Sequence, residues 1–370
     1  MIIHFSILLL ILLVSAFYEH QFRANKIKVI ADGGTAADFK GSIIPWLIIF
    51  GFLTYLAAMR SSMNDTSNYV HGFNDEIATW TQIKTYIAGD RKDKGFYILQ
   101  VLFKMYISRD YHLWFFFVAA IESILFIHVF RTYTISLMDA CYYFFASTLY
   151  YNYFSMMRQW LAVSIVFFAG AVFLKNKKYI PYILLCILAA LFHTSALFMI
   201  ALIVFANVEP WSKKQGLLTV LFIVGLLALQ PILSSSDSTY SYVGDTMQQG
   251  MGSSPFRILI EAIPVMLAFI VRNNKTNDRL INVCINFSVV NLIITILATV
   301  TSGLYLIRMT IYTSMFNVIL YPYLFHILLN AEKKSMYRSG FYVFYFVFYI
   351  FQMNYSSMWK YSSNILGRFL

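Results

Sequence analysis

The sequence predicts an all-α integral membrane protein, a polytopic helical bundle of about twelve transmembrane helices with a long extracytoplasmic loop carrying an amphipathic helix. Composition is the first reason. Of the 370 residues, 59% are hydrophobic and only 12% are charged, about half the share of roughly 25% found in soluble domains. The mean hydropathy of +0.66 agrees. Periodic recurrence is the second reason: apolar runs near the roughly 17–25 residues of a span follow one another along the chain. No polar stretch between them is long enough to fold separately, so 1–370 reads as one membrane domain.

The candidate spans are 2–18, 43–59, 112–130, 134–152, 157–174, 179–193, 195–207, 215–233, 255–271, 280–300, 304–329 and 339–353. The first has no Lys or Arg before it and no small-residue cleavage site after it, so it reads as a retained span rather than a signal peptide. The run 179–207 is too long for one upright helix and short for two. Charge decides it. KNKK at 175–178 and Lys213-Lys214 flank the run, and both favour the cytoplasmic side. A hairpin turning near Phe192-His193-Thr194 satisfies both and places His193 at the outer end. The inside loops are then 19–42 (Arg23, Lys26, Lys28, Lys40), Arg131, 175–178, 208–214, 272–279 (Arg272, Lys275, Arg279) and 330–338 (Lys333, Lys334, Arg338). The outside receives 60–111, the Ser/Gly-rich loop 234–254 and both termini. Loop 234–254 holds no Lys or Arg, and the basic residues of 60–111 alternate with acids. Within 60–111, about 95–108 is too short to span. Its Gln100, Lys104 and Ser108 form a thin polar stripe, as in a helix lying at the outer interface or wedged between spans.

The net charge of +11 is carried largely by short loops. That distribution points to the lipid bilayer as partner and away from nucleic acid. Cys141, Cys186 and Cys284 fall in separate apolar runs and suggest neither a metal site nor a disulfide framework. No CxxC, HExxH, DxD or Walker-type loop is present. No metal and no cofactor are expected.

Polar groups inside or at the edge of hydrocarbon are expensive and default to function. Arg158-Gln159 opens the fifth span, in MMRQWLA. A guanidinium stays charged and presents a fork matching phosphate oxygens, though an anchoring arginine at the interface would also snorkel. His193 lies in LFHTSALF, where an imidazole serves as base or as donor to a phosphate. Arg308, in SGLYLIRMTIY, is a second cation at the same level, or else the partner of Glu122, Asp139 or Glu261, the acids within spans. Arg60, Asp65 and Tyr69, in MRSSMNDTSNYV, follow the second span and offer a group to hold a sugar, or a solvated loop start.

These residues carry a resemblance. NDTSNYV after an outer Arg, DKGFYILQVLFK, NYFSMMRQWLAVSI and LFHTSALF resemble the EpsG/Wzy-type polysaccharide polymerases over about 50–200. The RQ-x-x-A and FH-x-S-A pair is the more specific part. One departure is DKGF at 93–96, where the family pattern has E-x-GF; Asp93 stands in the place of the glutamate. The resemblance implies a multi-pass protein of the bacterial cytoplasmic membrane with an extracytoplasmic active site. It implies metal-independent glycosyl transfer that joins oligosaccharide repeats carried on undecaprenyl diphosphate, in capsule, exopolysaccharide or O-antigen assembly. His193 and Arg158 would be catalytic, and Arg308, Gln159, Arg60, Asp65 and Tyr69 would bind diphosphate and sugar. A chain-length regulator and a flippase would be candidate partners. Two rivals stand beside this: a flippase or transporter of lipid-linked oligosaccharide, which wants a polar cavity near mid-membrane, and a membrane-bound acyltransferase, which wants its histidine reachable from the cytosol.

Overall fold

The computed structural model describes residues 2–235, 255–274, 278–301, 304–355 and 360–363. Among these, every regular element is helical. The longer helices are α1 (Ile2–Ala31), α2 (Ile44–Met59), α3 (Thr66–Asn74), α4 (Trp80–Ala88), α5 (Lys94–Tyr106), α6 (Tyr111–Tyr133), α7 (Leu137–Ala146), α8 (Met157–Phe173), α9 (Tyr179–Phe192), α10 (Lys213–Ser235), α11 (Pro255–Ile270), α12 (Arg279–Val300), α13 (Leu304–Ser314), α14 (Asn317–Tyr323) and α15 (Ala331–Tyr355). One isolated bridge joins Ser62 to Ser362. Helix follows from apolar composition here, because a backbone surrounded by hydrocarbon must satisfy its N–H and C=O groups internally.

Among the described residues, four helices are long and apolar enough to cross a membrane: Ile3–Ala31, Tyr111–Tyr133, Met157–Asn176 and Arg279–Val300. A pair bent by 46°, Leu306–Ser314 with Asn317–Leu328, makes a fifth if it is one span. The expected count of about twelve is not confirmed among the described residues. The difference has local causes. The run 134–152 is interrupted: α7 ends at Ala146, Thr148 takes a left-handed φ of 69°, and single turns fill the way to Met156. α2 and α9 are apolar but short. The runs 215–233, 255–271 and 339–353 lie in α10, α11 and α15. Most of loop 234–254 lies outside the described residues.

The hairpin expected at 179–207 is present. Tyr182 donates from its hydroxyl to the Met199 carbonyl at 3.0 Å, and Tyr179 donates to Asn207. These bonds run the two arms antiparallel about a tip at His193, whose extended backbone (φ −156°, ψ 116°) breaks the helix. At about 1.5 Å per residue, the 14 residues of α9 extend only ~21 Å.

Two loop expectations change. Residues 19–31 continue α1 instead of forming a loop. Lys26 is buried and donates to the carbonyls of Ala36, Arg131 (3.1 Å) and Thr132 (2.7 Å). Loop 60–111 is three helices, α3 to α5. The polar stripe on α5 turns toward α3. Gln100 is buried and donates to the Gly72 carbonyl at 3.0 Å. Lys104 donates to the carbonyls of Phe73, Asn74 and Glu76, so it caps the C-terminus of α3, where orphan carbonyls and the helix dipole favour a cation.

The basic segments converge on one end of the molecule. Lys26 and Arg131 meet there, and Lys175 lies 4.9 Å from the Tyr133 ring centre. Arg279 donates to the Leu174 carbonyl and to Asn207. Asn274 reaches the Leu328 carbonyl. Asp139 is buried beside them, accepting from His326 at 2.7 Å, from Arg338 at 2.9 Å and from Tyr342. α8 carries Lys175 just past this end and Arg158 at its other end, about 25 Å away along the axis. Aromatic packing braces that second end: Phe126 touches Trp160, Phe144 and Tyr153 at centroid distances of 5.1–5.9 Å.

Candidate functional site

Three chain segments meet at the end of α8 away from the basic loops. α8 begins after an irregular Met156, and Trp160 N–H already donates to the Met156 carbonyl at 2.7 Å. Arg158 thus sits in the first helical turn, where the dipole disfavours a cation. The neighbouring segments compensate. Asp93, in a left-handed conformation (φ 57°), immediately precedes α5. Its Oδ2 accepts from Arg158 Nη1 at 2.9 Å. Its Oδ1 accepts from the Thr194 backbone N–H at 3.2 Å and stands 3.8 Å from His193 Nδ1. Asp93 therefore joins α5, α8 and the hairpin tip.

Gly95 makes this approach possible. A Cβ at that position would fall 2.7 Å from Leu191 Cβ and 2.9 Å from the Leu191 carbonyl oxygen. A side chain there would push α5 off the hairpin and pull Asp93 away from Arg158 and Thr194. Tyr97, one turn into α5, accepts a hydrogen bond from Arg158 Nη1 at 3.2 Å, and its ring lies 5.7 Å from the guanidinium carbon.

The expected site residues are distributed as follows. Arg158 and His193 come together through Asp93. His193 Nδ1 is buried and makes no hydrogen bond among the described residues. Burial pushes the His193 pKa below its ordinary 6.5, with Arg158 and Arg308 adding to the effect and Asp93 opposing it. Tyr69 packs against Arg158 and edge-on to Phe96 at 6.2 Å; burial raises its pKa, and Arg158 works against that. Gln159 is buried and donates Nε2 to the main-chain carbonyl of Arg308 at 2.9 Å, which fixes α13 beside the site. The Arg308 side chain is exposed and pairs with none of Glu122, Asp139 or Glu261 among the described residues. Asp65 precedes α3, near Tyr69 and Tyr151.

Arg60 goes elsewhere. It is buried, donates to the Ala57 carbonyl and to Thr66 Oγ1 (3.2 Å), and stacks over the Phe115 ring at 4.1 Å. Its side chain makes no hydrogen bond to the Asp93 cluster, although it lies near enough to Tyr69 to interact with it; it ties the end of α2 to the start of α3. Tyr97, Thr194 and Gly95 belong to the site without having been singled out from the sequence. The signal for Asp93 and Gly95 was the DKGF departure. An acid before a glycine, at a helix start, suits a left-handed residue followed by a close backbone approach. Tyr97 had no distinguishing signal in an aromatic-rich helix.

Beside Arg308 opens a cavity of about 220 Å³, lined among others by Tyr151, Asn152, Arg257, Glu261 and Arg308. The site can therefore present cations, an imidazole and amide donors to an anion, next to a polar recess.

A family model described as the EpsG family matches residues 43–363. Neither the curated proteins nor the solved structures compared with the chain match it. The matched stretch contains the Asp93–Arg158–His193 cluster and both walls of the cavity. With 43–363 covered and apolar membrane-length helices on the page, the chain is a membrane protein that belongs to the EpsG family.

Proposed function

We propose that the protein is a polysaccharide polymerase that joins undecaprenyl-diphosphate-linked oligosaccharide repeats by glycosyl transfer at the outer face of the bacterial cytoplasmic membrane. The observation that carries the reading is the meeting of Arg158, Asp93 and His193 at the end of the molecule opposite the basic loops. Basic loops favour the cytoplasm, so the cluster belongs at the outer leaflet. Membership of the EpsG family supports the polymerase-like role.

A hydroxyl of one lipid-linked repeat attacks the anomeric carbon of the growing chain. The bond from that carbon to the diphosphate oxygen breaks, and the electron pair leaves with undecaprenyl diphosphate. Arg158 and Arg308 stabilise the leaving diphosphate, since fixed cations aimed at developing negative charge act strongly in a water-poor site. His193 takes the acceptor proton or donates to the phosphate. Gln159 positions Arg308, and Tyr69 holds Arg158. Asp65 faces the sugar side. A divalent metal is not needed to neutralise the leaving group.

The test is repeat joining in a deletion strain complemented with wild type, Arg158→Ala or His193→Ala, read as a ladder on a gel with membrane levels matched. Loss of the ladder, with single lipid-linked repeats collecting at the outer face, is the expected result. A normal ladder from both variants sinks the mechanism. Repeats trapped inside point to a flippase instead.

A further inference from the structure

The site has a second compartment beside the diphosphate-binding cluster, and the two share Arg308. α11 opens with Pro255, which puts Arg257 in its first turn and Glu261 one turn deeper on the same face. Both line the cavity of about 220 Å³ that Arg308 also borders. The volume lies below the roughly 300–1,000 Å³ of drug-sized sites, and suits one sugar ring. Polar residues surround it: Thr148, Tyr151 and Asn152 come from the irregular segment that leads into Arg158. Among the described residues, neither Arg257 nor Arg308 has a hydrogen-bond or ion-pair partner for its guanidinium.

Glu261 is buried at the wall of this cavity, and its position is over-determined. Asn291 on α12 donates Nδ2 to Glu261 Oε2. The Asn291 side-chain oxygen in turn accepts from Thr313 Oγ1 at 2.9 Å and from Ser314 Oγ at 3.4 Å, both on α13. An uncharged amide thus orients the carboxylate without neutralising it. The other acids differ. Asp93 is ion-paired to Arg158 at 2.9 Å. Asp139 is held by His326 and Arg338 at the far end. Glu122 does not border the cavity.

Resting on the polymerase reading, we propose that this cavity is the acceptor subsite, and that Glu261 is the catalytic base that takes the proton of the attacking sugar hydroxyl. The O–H bond of the acceptor breaks toward Glu261 while its oxygen forms the new bond to the anomeric carbon. The old anomeric C–O bond releases its electron pair to the diphosphate beside Arg158. Arg257 holds the acceptor saccharide at the rim, while Arg308 stands between it and the diphosphate. Arg257, Arg308, Tyr143, Tyr321 and Tyr345 are the charged and titratable groups that face Glu261 from the surrounding helices. This assignment leaves His193 as a donor to the diphosphate.

The test uses membranes of the deletion strain, which hold accumulated single lipid-linked repeats, supplied with purified full-length variants. Joining rate is read against repeat density, with sodium formate as an added small base. Glu261→Gln is expected to lose about 100-fold or more in kcat at little change in KM, the usual range for a missing general base. Glu261→Ala is expected to be equally slow and to recover in formate, which fits the vacated volume and accepts the proton. Arg257→Gln is expected to raise KM several-fold with kcat nearly kept. A Glu261→Gln rate within a few-fold of wild type overturns the assignment, and so does a Glu261→Ala loss that formate leaves unchanged. If Arg158→Ala stays inactive in either case, the polymerase reading survives without this base. If Arg158→Ala is also fully active, that reading fails by itself.

Discussion

At the residue scale, Asp93 decides whether the site exists. Its carboxylate accepts from Arg158 and from the Thr194 N–H. Asp93→Ala would leave Arg158 in the first turn of α8 with no counter-charge. Hydrogen bonds to charged groups are worth about 1.5–3 kcal/mol, and because the Arg158 side chain is 35% exposed, the lower half of that range applies. The expected outcome is a modest fall in thermal midpoint in detergent together with loss of the repeat ladder, while Asp93→Glu retains part of both. His193 makes a pH-dependent contribution of defined sign. Its folded pKa lies below the ordinary 6.5, so the folded state prefers the neutral ring. The unfolded chain binds the extra proton first as pH falls through about 6.5, and stability is lost from there down to the folded value. Wild type should unfold more readily at acid pH than His193→Gln does, by thermal scans across that window. Identical acid sensitivity in both would show that other groups carry it. The sequence exposed Arg158 and His193 because a cation and an imidazole stand out against apolar neighbours. It hid Tyr97 and Thr194, whose types are ordinary for a membrane-facing helix and a turn.

At the element scale, two glycines hold helices at distances that no other residue allows. Gly95→Ala should disturb the α5–hairpin contact, since its Cβ would meet backbone at Leu191. Overpacking of this kind costs about 1–3 kcal/mol. Gly170 on α8 faces the break between α13 and α14, where a Cβ would fall 2.5 Å from Phe316 Cζ. Phe316 is itself pinned edge-on by Phe167 at 5.1 Å and Phe287 at 4.8 Å, so it has little room to move. Gly170→Leu should therefore lower the folded yield, whereas Gly225→Ala, with open space around it, should not; size-exclusion profiles in detergent compare them. The hairpin at 179–207 was legible because charge on both flanks forbade a single crossing. The extension of α1 through residue 31 was not. Arg23, Lys26 and Lys28 look like loop residues until Lys26 is seen to end on three carbonyls, which turns a loop charge into a helix-end clamp.

At the scale of the whole molecule, composition announced a helical membrane protein. Counting apolar runs, however, gave more crossings than the long apolar helices among the described residues show. A run records hydrophobicity and not straightness, so 134–152 counted as one span although Thr148 and the turns after it break it. Sidedness is the prediction that belongs here. All three native cysteines are buried, so introduced ones report cleanly. Asp90→Cys should react with an impermeant maleimide in intact cells, and Lys177→Cys only after permeabilisation. The reverse pattern would place the Asp93 cluster in the cytoplasm and remove the outward polymerase. The depth of the hairpin tip has a further consequence for traffic. If the first arm starts at the edge of a ~30 Å hydrocarbon core, its ~21 Å leaves the tip roughly 9 Å beneath the opposite headgroups. An anion seated there stays level with the tail it is attached to. On the polymerase reading, a spent carrier would then depart sideways within the leaflet, and its replacement would arrive the same way. Turnover would follow the surface density of carrier lipid and its two-dimensional diffusion, and would be indifferent to the volume of the surrounding medium.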